Sequence, residues 1–220
     1  MPSAFYDYTK VLCQSFLFYS LGEEERNRIS RILPSPSEEF CLDKSENKEL
    51  VDVLMMLASE IDTRFTQPST VDKTIGELGL SNENLDRVRD VYMEVVNVMF
   101  RKMNWGRIVA MLAFLRMLSV HLLKRDRVSD VDVLIESTAK YCDERLRFWI
   151  QMHGGWHGLV DFFRQGSQRS ENLQPSKSEC TTDSAPAFRQ SFGSFAMAAA
   201  TGAVGAIGLA GLCALWSLRR

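Results

Sequence analysis

Residues 105–123 read WGRIVAMLAFLRMLSVHLL, and apart from Gly106 only Arg107, Arg116, Ser119 and His121 interrupt the apolar run. A helix apolar on every side is surrounded either by other helices or by lipid. Arg116 near the middle makes a simple membrane span costly. The stretch therefore predicts a central helix wrapped by its neighbours, inside a soluble part long enough to bury it.

Those neighbours are legible as amphipathic helices on either side. Segment 6–21 carries Val11, Leu12, Phe16 and Tyr19 at helical spacing, with Gly22 as the stop. Segment 49–65 places Leu50, Leu54, Leu57 and Ile61 at steps of four, three and four; Phe65 extends the stripe and Pro68 closes it. Segment 82–103 presents Leu85, Val88, Tyr92, Val95, Val96, Met99 and Met103 on one face, with Ser81 as N-cap. Segment 130–142 opens on Asp130 and carries Val131, Leu134, Ile135 and Tyr141. No β-branched alternation and no internal repeat is visible. The expectation is an all-α bundle over residues 1–165. Residues 34–48 are expected to form a loop and residues 166–190 a flexible polar linker.

Composition narrows the function classes. The 220 residues are 45% apolar and 25% charged, with a formal net charge of −2. A near-neutral chain does not fit a general nucleic-acid binder. The five cysteines are scattered with no CxxC pair, which fits a reducing compartment better than a disulfide scaffold or a zinc ribbon. The N-terminus has neither a basic nor an apolar signal region. Phe195–Leu218, by contrast, contains only Thr201 and Ser217 as polar residues. As a helix it would be about 36 Å long, enough to cross a hydrocarbon core of about 30 Å. Trp216 and Arg219–Arg220 suit an interface anchor. Residues 191–220 are therefore expected to be a transmembrane tail anchor, with the bulk of the chain cytosolic. Gly202 and Ala206 form one small-xxx-small pair on that span.

Catalytic patterns are missing. There is no phosphate-binding glycine loop. His153 and His157 lie four apart, but Gly-Gly-Trp stands between them and no glutamate is placed to act as base. No enzyme, no metal and no cofactor is expected. What remains is interaction chemistry. Asn104 can cap the central helix, Trp105 offers a large packing surface, Gly106 permits close backbone approach, and Arg107 presents a planar fork to a carboxylate.

These residues carry a resemblance. Val95-Val96-Asn97 through Phe100-Arg101, then Asn104-Trp105-Gly106-Arg107-Ile108-Val109-Ala110, closely resembles the first homology region of the Bcl-2 family of apoptosis regulators. Trp149-Ile150-Gln151, Gly154-Gly155-Trp156 and Leu159–Phe163 resemble the second, in family order and followed by a C-terminal anchor. In the third region Leu54, Leu57 and Ile61 match the apolar positions, but Ala58-Ser59 stands where the family usually has Gly-Asp. The N-terminal helix is loosely similar to the fourth.

The resemblance implies a Bcl-2-like bundle of about eight helices around the central one, with a groove that receives BH3 helices. Arg107 would pair with their Asp, and Val88, Tyr92, Val96 and Phe100 would be pocket residues beside Asn104, Trp105 and Gly106. It further implies partners among BH3-only proteins and Bax/Bak-type effectors, homo- or heterodimers, and residence at the mitochondrial outer or endoplasmic-reticulum membrane. Ile108, Val95–Asn97, the Leu159–Phe163 ending, the long linker and the Ala/Gly-rich anchor resemble survival members. Gly158-Leu159 and Leu118–His121 resemble Bax and Bak. The survival role is the expected one, and a membrane-permeabilising effector is the alternative. A tail-anchored adaptor with calcium-channel or membrane-contact partners and no role in death stands as a third.

Overall fold

The computed structural model describes residues 3–30, 45–65, 75–80, 87–100 and 102–171. These are helical, and no strand occurs among them. Helix α1 is Ala4–Ser20, α2 Glu23–Ile29, α3 Ser45–Phe65, α4 Val88–Met99, α5 Trp105–Leu123, α6 Val128–Tyr141, α7 Arg147–Met152 and α8 Gly158–Glu171. Pro68, Ser81, Leu85, the linker beyond Glu171 and the span at 191–220 lie outside the described residues, as does the side chain of Ile61.

Helix α5 is the core, as its composition predicts. Fourteen of its residues are buried, with Ile108, Met111, Phe114, Leu115, Leu118, Leu122 and Leu123 fully inaccessible. Helices α1, α2, α3, α4 and α6 all pack against it. Three of its polar interruptions find partners. Arg116 Nε donates to Ser20 O (3.1 Å) at the end of α1, and Ser119 Oγ donates to Leu115 O (2.8 Å). His121 Nδ1 lies 3.0 Å from an Arg125 guanidinium nitrogen.

The surrounding faces follow from spacing. Leu12, Cys13, Phe16 and Leu17 turn the inner side of α1 toward α6 and α5, whereas Val11 is half-buried and Tyr19 exposed. Leu50, Val53, Leu54 and Leu57 do the same for α3. Arg28 donates to Leu123 O (2.7 Å), which ties α2 to the end of the central helix. Arg164 of α8 pairs with Glu49 of α3.

Several boundaries differ from the sequence reading. Residues 45–48 begin α3 rather than ending a loop, and residues 166–171 continue α8 rather than starting the linker. Gly22 precedes α2, an element whose single buried side chain, Ile29, leaves no apolar stripe to read. Helix α4 stops at Met99, not at residue 103, and Met103 is 40% exposed. Between α6 and α7, Cys142–Leu146 form a π turn. The backbone stays right-handed at Cys142, Leu146 and Arg147, so residues 128–152 run on helically without a break.

Candidate BH3-type receptor site

The site is built at the start of α5. Asn104 adopts an extended conformation, and its Oδ1 accepts the Arg107 N–H at 2.8 Å. This is the side-chain cap read from the sequence, and it satisfies one of the four free donors of the helix start. No acidic residue lies in the first turn of α5, so the positive end of a 19-residue helix carries no compensating charge of its own.

Arg107 adds a full cation there. One of its terminal nitrogens, Nη1, donates to both Met99 O and Lys102 O, each at 2.8 Å. Its Nε is buried and has no hydrogen-bond partner. Burial holds the guanidinium below its ordinary pKa. An unpaired buried donor costs about 1–3 kcal/mol, and an arriving carboxylate would recover that while compensating the helix end.

Trp105 does not offer an open surface to a partner. It is 4% exposed, and its ring meets Trp149 edge-on (centroids 5.1 Å apart) and tilts against Trp156 (6.5 Å). The two homology regions therefore meet through one indole. Trp156 also donates from Nε1 to Thr9 Oγ1 (3.0 Å), which anchors the region to α1. Trp149 stacks on His153 at 4.0 Å, and the His153 ring is a sandwich partner rather than half of a metal pair. His157 lies 3.5 Å from the Tyr8 hydroxyl, which in turn donates to Asn47.

The turn between these tryptophans needs its glycines. Gly154 and Gly155 have φ of +87° and +66°, a region that side chains disfavour. At Gly158 a Cβ would lie 1.7 Å from His153 O and 3.2 Å from the Trp105 ring.

The pocket residues on α4 are placed differently from the expectation. Val88, Tyr92 and Val96 are 3%, 0% and 0% exposed, on the inward face. Tyr92 stacks on Phe114 (5.5 Å) and shares a 2.7 Å hydrogen bond with Thr138 of α6. They are core residues with no surface open to a ligand. Phe100 is also buried, tilted against Tyr141 at 5.6 Å. Leu54 and Leu57 likewise face the core. Among the described side chains, the apolar ones of α3 and α4 that stay partly open are Met55, Met56, Met93 and Val98. Their half-open positions were not singled out by spacing, because they flank the buried stripe. Gly106 is half-buried. Among the described residues no group of three His, Cys, Asp or Glu could hold a metal.

Comparison with known proteins fits this geometry. The family model described as apoptosis regulator proteins of the Bcl-2 family matches residues 54–156, the span from α3 to Trp156. A solved schistosome BCL-2 bound to ABT-737 is 32% identical, with a TM-score of 0.59 over 73% of this chain and 98% of that one. The chain belongs to the Bcl-2 family. Mouse apoptosis regulator BAX is 26% identical over 151 residues, covering 68% of this chain and 74% of its own. A Trichoplax adhaerens Bcl-2L2 bound to a Bak BH3 shares the fold, at 22% identity and a TM-score of 0.56 over 73% of this chain and 99% of that one. Membership makes the chain an apoptosis regulator from a family of non-enzymatic proteins.

Proposed function

We propose that this Bcl-2 family chain is a survival protein and a binding module rather than an enzyme, which sequesters BH3 helices of killer proteins. The observation that carries the reading is Arg107, a half-buried cation at an uncompensated helix start whose Nε is buried without a hydrogen-bond partner among the described residues. That is a receptor for one carboxylate on an apolar ligand. On this reading α3 and α4, which both pack on α5, are the walls of the groove, and the start of α5 at Arg107 is its floor. Met55, Met56, Met93 and Val98 are its accessible apolar lining, and methionine is a side chain that adapts to varied partners. The Trichoplax relative bound to a Bak BH3 and the schistosome relative bound to ABT-737 support a groove ligand of this kind.

The survival role rests on Ile108, on the Leu159–Phe163 ending and on Ala58-Ser59, which lacks the acid an exported killer helix needs. Residues 191–220 anchor the domain in the mitochondrial outer or reticulum membrane, with the bundle in the cytosol. The BAX match over 151 residues favours a second reading, a permeabilising effector.

Liposome dye release separates the two. The full chain is reconstituted in liposomes, with and without activated Bax. A survival protein suppresses Bax-driven leakage and causes none alone. Leakage from the chain alone, increased by a BH3 peptide, makes it the effector. Arg107→Ala is expected to weaken BH3 peptide binding by ~1.5–3 kcal/mol by calorimetry; unchanged affinity rejects the receptor role.

A further inference from the structure

Arg107 has a second set of bonds that ligand recognition does not use. Nη1 holds two backbone carbonyls at once, Met99 O at the last residue of α4 and Lys102 O in the turn that follows. Helix α4 ends there: Phe100 still donates to Val96 O (3.2 Å), and its ψ of +32° turns the chain out of the helix. The last turn of α4 has no basic residue of its own. Carbonyls at a helix end attract a cation, and Arg107 supplies it from the next helix. Asn104 Oδ1 holds the Arg107 backbone N–H at 2.8 Å, so the residue is tied at both ends.

We propose that Arg107 is a clamp as well as a receptor: it closes the turn between α4 and α5, and so couples ligand pairing at Nε to the position of the α4 end. The coupling rests on the BH3-receptor reading; the clamp itself does not. Because Nη1 is spent on the carbonyls, a carboxylate is left the edge carrying Nε, which is closed to solvent in the free protein and is uncovered as the ligand seats. A ligand carboxylate there holds the guanidinium in the rotamer that also clamps the turn. By reciprocity, a turn already clamped presents Nε in place and improves binding. Lysine cannot do both, since its single ammonium has no fork.

The experiment uses the full chain in detergent as wild type, Arg107→Ala and Arg107→Lys, with circular dichroism to confirm helicity. It uses a Bak BH3 peptide and its Asp→Ala analogue. Hydrogen exchange of residues 100–104 without ligand is expected to be at least tenfold faster in Arg107→Ala, with Arg107→Lys in between. The Asp peptide is expected to bind Arg107→Ala at least fivefold more weakly than wild type, and the Asp→Ala peptide, which has no acid to pair, to discriminate less between them. In wild type, the Asp peptide is expected to slow exchange at 100–104 more than its analogue does. Unchanged exchange in both variants overturns the clamp. Equal slowing of exchange at 100–104 in wild type by the two peptides overturns the coupling. Failure of both peptides to bind wild type removes the receptor reading, and the exchange of the free protein still decides the clamp. If Arg107→Ala does not fold, Arg107→Lys carries both comparisons.

Discussion

At the scale of single residues, the second homology region is decided by space rather than by chemistry. Gly158 donates its N–H to Gly154 O and Gly155 O, at 3.2 and 3.1 Å, beneath the Trp105 ring. A methyl group there would lie inside the van der Waals radius of His153 O, and the obstacle is backbone that cannot swing away. Gly158→Ala is expected to cost about 3 kcal/mol or more, lowering the thermal midpoint on the order of 6–12 °C for a domain of this size. A melt within 2 °C of wild type would show that the turn relaxes freely. A second single-residue effect concerns pH. Burial pushes the Cys13 thiol up to about 12 and raises Cys142 and Tyr92 as well. In the unfolded chain these groups lose their protons at lower pH than in the fold. Stability is therefore expected to be flat in this respect below about pH 8 and to fall as pH rises through 9 to 12. Urea unfolding at pH 8 and pH 10.5 measures the fall, which should be shallower in Cys13→Ala; identical slopes would remove the thiol from the account.

At the scale of elements, helix α3 owes its place to packing. Leu50 and Leu54 are fully buried against the bundle, and α3 packs on α1, α5 and α8. Leu54→Ala is expected to destabilise by about 2–5 kcal/mol, read from the urea midpoint. The match to the third homology region is thus first a core requirement of this chain. Which elements the sequence disclosed follows the same physics. Helix α5 was legible because its burial is written all round it, and α3 because three apolar steps share one face. Helix α2 was illegible because EEERNRI offers one buried side chain. The end of α4 was misplaced because Met99 and Met103 keep helical spacing, while the turn is closed by a guanidinium eight residues from Met99. No local pattern encodes a bond to a backbone carbonyl. The α4 pocket residues were misassigned for a related reason: period shows that Tyr92 and Val96 share an apolar face, but not whether that face meets solvent or Thr138.

At the scale of the whole molecule, the expected arrangement is a helical domain joined to a span at residues 195–218. Full-length chain is expected to float with carbonate-washed liposomes, and a chain ending at residue 190 to remain in the soluble fraction. Flotation of both would place the attachment in the bundle itself. The exposed Phe148 and Met152, at 78% and 68%, are the side chains to replace in that event. They are turned outward while Cys142, Leu146 and Ile150, at steps of four, lie on the inner side of this helical stretch.

The crowding of indoles beside Arg107 gives the molecule a built-in optical reporter. Three of the four tryptophans, Trp105, Trp149 and Trp156, share one cluster, and the fourth is Trp216. Tryptophan emission from residues 1–190 therefore arises from a single neighbourhood, two residues from the candidate carboxylate receptor. A ligand that shifts the start of α5 should change that emission without any attached dye, while entry of the tail into lipid should register separately, through Trp216.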